Sequence, residues 1–198
     1  MEAVQRLAAG LPAGVRVAFG GQSAALGEAF TDLWLALIMG LVVAYLVLAA
    51  QFNSWRHPLT VLSILPLAFA GGALALMIAD KTLNLFSFIG FVLLMGLAKK
   101  NSIVLVDFAR QAEAEGLTPS AAILRAGSQR LRPILMTSIA TIAGAIPLAV
   151  GTGPGAETRA PMAIAIIGGM LVATSLSLLA VPALYVLLAR RTAARLDV

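Results

Sequence analysis

The stretch GLAKKNSIVLVDFAR, residues 96–110, places Lys99, Lys100 and Asn101 in a segment otherwise apolar enough to lie in hydrocarbon. A charged side chain at the centre of a bilayer costs about 2.5–3.5 kcal/mol on insertion scales, so such residues mark ion or proton pathways by default. Adjacent helical residues point about 100° apart, and at most one of the two lysines therefore faces directly into a bundle. Lys100, Val104 and Asp107 follow an i, i+4, i+7 line, with Asn101 beside Lys100. That face offers an ammonium and a carboxylate, which hold or release protons according to their neighbours, and an amide that can hydrogen-bond to either. About 24 Å of helix rise separates Asn84 from Lys100, which puts both lysines past the midplane and about 15 Å short of Arg110. The competing reading has both lysines snorkelling to the interface, a strained course from this depth, with Asp107 as an end charge.

A second polar stripe runs through Arg130, Thr137 and Thr141, which share one helix face at their spacing. Arg130 then holds its guanidinium at the mouth of a span while the two threonines lead inward, lining a wet entry for protons. Alternatively, Arg130 and Arg132 are anchors at the end of the span and the hydroxyls bond back to carbonyls of their own helix.

The elements that must position these groups are membrane helices. Of the 198 residues, 60% are hydrophobic and 12% charged, and the mean hydropathy is +0.96, a composition that belongs to membrane proteins with lipid as their main solvent. A hydrocarbon core about 30 Å thick takes roughly 20 helical residues to cross. Five stretches fit: Leu33–Ala50, Leu59–Ala79, Asn84–Phe108, Ile134–Val150 and Pro161–Leu188. Pro66, Pro147 and Pro182 fall inside them and are read as kinks, which membrane helices accept through neighbouring contacts. Small residues, among them Gly71, Gly72, Ala75, Gly90, Gly96, Gly168, Gly169 and Ala173, allow close helix approach. The fold class is an all-α membrane bundle of five transmembrane helices with a short N-terminal stub, outward-facing by charge and periplasmic in what the resemblance given below implies.

The net charge of +5 lies mainly at the ends of apolar runs, which is a topology signal and not a nucleic-acid patch. Arg56, the connection bearing Arg110, Arg125, Arg130 and Arg132, and a tail bearing Arg190, Arg191 and Arg195 are basic, whereas the alternate loops carry only Lys81 and Arg159. The positive-inside rule then makes the basic group cytoplasmic, with the N-terminus outside and the C-terminus inside. Residues 1–28 read as the last piece of an outward-facing soluble domain, since Val15, Val17 and Phe19 alternate as in a half-buried strand that is not stable alone; the resemblance given below implies that this is the end of an incomplete periplasmic porter subdomain. Residues 29–190 form the membrane segment and residues 191–198 a cytoplasmic tail. Between Gln111 and Gln129, Thr118 or Ser120 caps a short amphipathic helix, or the segment is a plain interfacial linker.

Several chemistries are excluded. There is no cysteine and only one histidine, His57, so thiolate sites and histidine-rich metal centres are out. HExxH and GxSxG are missing, and Asp107 is the one aspartate within the apolar spans, where an intramembrane aspartic site needs two. The glycines of GTGPGAE are turn residues with no GKS or GKT behind them, and Met95, Met136, Met162 and Met170 fill apolar gaps. No enzyme, cofactor or metal site is expected.

Four stretches in order, LVLAAQFNSWRHPLTVLSILPLAFAGG, GLAKKNSIVLVDFA, RLRPILMTSIATIAGAIPLAVGTGPGAE and GGMLVATSLSLLAVPALYVLL, give the chain a further character. It resembles the C-terminal membrane part of bacterial resistance-nodulation-division (RND) efflux permeases over nearly its whole length. The resemblance implies an inner-membrane secondary transporter in which proton influx drives export of drugs or other small amphiphiles. Lys100 matches the family's relay lysine, which pairs with two acidic residues on a helix of the N-terminal half, Arg130 and Thr137 match other polar members of that relay, and Asn101 adjoins it. No role passes to Lys99, and Asp107 and Thr141 are secondary candidates. The implied partners are the N-terminal half of the permease, two further copies in a trimer, a periplasmic adaptor and an outer-membrane channel. Without the acidic pair the polypeptide is not expected to pump alone. The alternatives are a stand-alone membrane protein that completes or interferes with a permease half, and a metal-exporting member of the same family.

Overall fold

The computed structural model describes residues 22–55, 57–151 and 153–193. Among them there are six helices and no strand: α1 (Gln22–Phe52), α2 (His57–Leu62), α3 (Ile64–Ile78), α4 (Leu85–Ala114), α5 (Pro119–Val150) and α6 (Ala156–Ala193). Helices α2 and α3 together make one crossing, so five spans are long and apolar enough to traverse a bilayer. The chain is an all-α membrane bundle, as its hydropathy leads one to expect.

Pro66 accounts for the interruption between α2 and α3. It has no N–H to give the carbonyl one turn earlier, and its ring crowds that carbonyl, so the ladder breaks near Ser63. The Ser63 hydroxyl donates to the Thr60 carbonyl at 2.7 Å and satisfies part of the loss. Pro147 and Pro182 lie inside continuous helices. The ends of α1, α3 and α4 share one stop. After each, a residue with positive φ (Asn53 at 46°, Asp80 at 51°, Gly116 at 94°) turns the chain. The next amide then bonds back across six residues, from Ser54 to Ala49, Lys81 to Leu76 and Leu117 to Ala112, the pattern that closes helix C-termini. At its start α4 is capped reciprocally: Asn84 Oδ1 accepts from the Ser87 amide at 2.9 Å and Ser87 Oγ accepts from the Asn84 amide at 2.8 Å.

Several boundaries differ from the sequence reading. The first span was expected at Leu33–Ala50, yet α1 starts at Gln22 and enters the stretch assigned to the stub. The strand expected over residues 15–19, and residues 194–198 of the tail, lie outside the described residues. The short helix after Thr118 and the span from Ile134 are a single helix, α5, N-capped by the Thr118 hydroxyl. Its first turns bury Ala122, Ile123 and Ala126, and Ile123 and Ala126 join the core of Leu105, Val106 and Ala109 on α4. Packing therefore extends the helix beyond its apolar stretch, and Pro133 is accommodated inside it. The fifth span likewise outruns Pro161–Leu188 at both ends, from Ala156 to Ala193.

Helix α6 is central and packs on α3, α4 and α5, whereas α1 touches only α2 and α4. The core falls into two apolar clusters. One joins Ile64, Leu65, Ala68, Leu94, Met95, Ala98, Ile166, Met170 and Ala173; the other, towards the arginine-rich end, joins Leu48, Phe52, Val61, Leu105, Val106, Ala109, Ile123, Val181 and Tyr185. Asn101, Ser138 and Thr174 lie between these clusters along the sequence of α4, α5 and α6, and all three are buried. Gly71 on α3 and Gly168 on α6 set the closest crossing: a Cβ on Gly71 would stand 2.6 Å from Val172 Cβ, and one on Gly168 would stand 2.8 Å from the Gly71 carbonyl oxygen. Gly72, Gly90 and Gly169 also face backbone or side chains of neighbouring helices. Gly96 differs from the expectation, because no atom of a neighbouring helix among the described residues lies within 4 Å of where its Cβ would be.

Peripheral α1 is pinned at both ends. Phe30 and Trp34 pack edge-on against Phe88 of α4, with ring centroids 5.6 and 5.1 Å away. At the other end Arg110 Nη1 donates to the Phe52 carbonyl at 2.6 Å and its guanidinium lies 5.5 Å from the Phe52 ring centroid. Replacing Arg110 by Gln is expected to remove about 2 kcal/mol of local stability, the scale of a charge-assisted hydrogen bond. Hydrogen exchange should rise selectively in the last turn of α1; unchanged exchange there would show that α1 does not depend on this tether.

Candidate functional site

Helices α4 and α5 bring the candidate residues to one region, but they sort into two environments. Lys100 is exposed on α4, Lys99 half-buried and Asn101 buried, as the 100° step between neighbours requires. Lys100 has no ion pair among the described residues, where the single salt bridge joins Arg125 to Glu115 at 2.7 Å. Gly96, one turn before Lys100 on the same face, is exposed as well. The result is a cation on a membrane-spanning surface beside a residue with no side chain.

Asp107 stays on the Lys100 face of the unbroken helix α4 but is engaged one turn further on. Its Oδ2 accepts from Gln111 Nε2 at 2.9 Å, an i, i+4 contact within α4. On α5 the hydroxyls bond back, as the less functional of the two expectations has it: Thr137 Oγ1 donates to the Ile134 carbonyl at 3.1 Å and Thr141 Oγ1 to the Thr137 carbonyl at 2.9 Å. Their protons are thereby engaged, and each oxygen keeps lone pairs that can accept from a water or an ammonium.

Arg130 is held by an aromatic ring. Its guanidinium carbon stands 4.5 Å from the centroid of Phe108 on α4, a distance at which the ring face attracts a cation. Its Nε is buried and has no hydrogen-bond partner among the described residues. The sequence marked Arg130 but not Phe108, because stacking between two helices depends on their rotation. Phe108→Leu is expected to release the guanidinium and lower local stability by about 0.5–2 kcal/mol, the range of cation–π contacts, without loss of folding; unchanged hydrogen exchange around Arg130 would show that the ring does not hold it.

The residues missed altogether are Ser138 and Thr174. Asn101 Nδ2 donates to Ser138 Oγ at 3.1 Å, and Thr174 Oγ1 donates to the same oxygen at 2.8 Å. Asn101 is thus brought together with α5 and α6, while Lys100, its neighbour, is not. The available hint was that Thr174 and Ser177 are polar positions on the otherwise apolar buried face of α6.

Chemically, the exposed and half-buried part of the region presents the Lys100 ammonium, the Thr137 and Thr141 hydroxyl oxygens and the ring-held Arg130 guanidinium. An ammonium in a bilayer calls for an anion, and a carboxylate opposite it would make a pair whose protonation changes the local charge.

The chain is similar to known proteins. A family pattern described as "ACR_tran: AcrB/AcrD/AcrF family" matches residues 1–189. A crystal structure of a heavy metal efflux pump, crystal form II, is similar with a TM-score of 0.82 and 34% identity, covering 94% of this chain and 19% of that one. Crystal form I gives a TM-score of 0.77 and 34% identity, with 94% and 18% covered. The chain therefore spans 19% or less of the length of these two structures.

Proposed function

The chain belongs to the AcrB/AcrD/AcrF family of RND efflux permeases, which are transporters, and on that premise we propose that it supplies the basic side of a proton relay driving export. The observation that supports the reading is Lys100: an ammonium on the exposed face of a membrane-spanning helix, with no ion pair among the described residues. Beside it Gly96 leaves space for another backbone to approach closely. A helix bearing carboxylates, seated against this face, would neutralise Lys100 when ionised. Proton uptake by a carboxylate would then break the pair and allow the helices to shift, which is a two-state element biased by the proton gradient. Arg130 and Thr137 line the approach from the arginine-rich end, Asn101 adjoins Lys100, and Asp107 and Thr141 have secondary places.

With this reading come an inner-membrane location with the arginine-rich ends in the cytoplasm, a trimeric pump, a periplasmic adaptor and an outer-membrane channel. The cargo is a small amphiphile, on the strength of the motif resemblance. A metal cation is the second reading, favoured by the likeness to heavy metal efflux pumps. Reconstitution of the complete transporter with an imposed proton gradient tests both: export of a fluorescent amphiphile that dissipates the gradient supports the first, the same coupling to a metal ion supports the second, and export unaffected by collapse of the gradient would refute the relay.

A further inference from the structure

One hydroxyl joins three helices. Ser138 Oγ on α5 accepts from Asn101 Nδ2 on α4 and from Thr174 Oγ1 on α6. The three residues are 2, 4 and 7% exposed respectively, so a lost bond is not replaced by bulk water. Other hydroxyls on α5 and α6 satisfy themselves within their own helix, Thr137, Thr141, Ser175 and Ser177 among them. The node is therefore not a by-product of polar residues in a helix: these three side chains reach across to one another.

Its placement along the chain is informative. Asn101 directly follows Lys100, and Ser138 directly follows Thr137. On each helix the buried node residue has an exposed relay candidate as its neighbour, about 100° away around the helix. Holding Asn101 and Ser138 inward thus holds Lys100 and Thr137 outward. The apolar contacts nearby, from Leu94, Ala98, Met170 and Ala173, hold the helices together. Two hydrogen bonds converging on one oxygen have direction.

We infer that Ser138 and Thr174 are positioning residues: through Asn101 they fix the rotation of α4 and α5 about α6, and with it the placement of Lys100 relative to Thr137. The inference rests on the relay reading above for its functional meaning, and on the node itself for its geometry.

The test uses the complete transporter in proteoliposomes with Ser138→Ala, Thr174→Val and Thr174→Ser. The first two are expected to lower proton-driven export about tenfold each, the scale of coupling within one hydrogen-bond network, and to displace the pH at which export is half-maximal, at parental abundance and thermal stability. Thr174→Ser keeps the hydroxyl and should restore both rate and pH profile. The double variant Ser138→Ala/Thr174→Val should be no slower than either single one, because the first substitution already opens the node. Parental rates and pH profiles in both single variants, with Lys100→Met inactive, would overturn the positioning role and leave the relay standing. Should Lys100→Met still pump, the relay fails, and spin labels at Leu93 and Ile139, exposed on α4 and α5, read the rotation directly. A distance distribution broadened in Thr174→Val and recovered in Thr174→Ser supports the node as the rotational lock; identical distributions overturn it.

Discussion

Lys100→Met in the complete transporter should abolish proton-driven export, by about 100-fold or more, while the protein reaches the membrane in normal amount. Methionine keeps much of the length and the apolar stem of lysine and removes only the charge. Carboxylates facing it would then lack their compensating cation, would hold protons across the working pH range, and could no longer alternate between paired and protonated states. Lys99→Met is the matched control, because Lys99 is half-buried about 100° away and has no assigned partner; its effect should stay within about twofold. Equal losses from both substitutions would point to general perturbation of α4, and retention of coupled export in Lys100→Met would refute the relay.

The second large effect concerns assembly. Gly168→Leu should cost about 3 kcal/mol or more, enough to empty the folded state of a marginally stable membrane bundle. The added Cβ would run into Ala75 Cβ and stand 2.8 Å from the Gly71 carbonyl oxygen. Both obstacles belong to α3, and one is backbone, so no side-chain rotation relieves them. Because α6 also packs on α4 and α5, displacing it disturbs every element that positions the site. The check is the folded fraction after detergent extraction, followed by thermal unfolding. Gly96→Leu gives the contrast: nothing among the described residues obstructs it, so the α3–α6 crossing should survive, while export is lost where another helix needs that space. A stable, fully folded Gly168→Leu protein would contradict the close crossing.

Much of the architecture was legible because hydropathy reports residence in lipid directly. The five spans and the turn at GTGPGAE follow from composition and glycine placement, and Gly153 and Gly155 have positive φ of 140° and 80°. What hydropathy does not report is where a helix stops being apolar without ceasing to be a helix. Residues 22–32 of α1 are helical ahead of the apolar run, and residues 119–133 of α5 are helical through the Thr118 cap and the packing of Ile123 and Ala126, not through a continuous apolar run. The site was legible to the extent that it depends on charge. Lys100 and Arg130 declare themselves by what they cost in a bilayer. Ser138 and Thr174 cost little and are common in membrane helices, and their meeting with Asn101 depends on the rotation of three helices, which a single sequence does not encode at the level of pattern. Thr137 and Thr141 show the converse, since a correct polar stripe still left open whether its hydroxyls bond outward or back, and they bond back.

The most direct measurement is the distance from Lys100 Nζ to the nearest carboxylate oxygen in the complete transporter, determined in a lipid bilayer at one pH above and one below the midpoint of its activity profile. The expected result is a pair within about 4 Å at the higher pH that opens at the lower one, with α4 displaced relative to its partner helix. Lys100 lying against lipid chains at both pH values, with no carboxylate within reach, would contradict the assignment of this helix to the proton path.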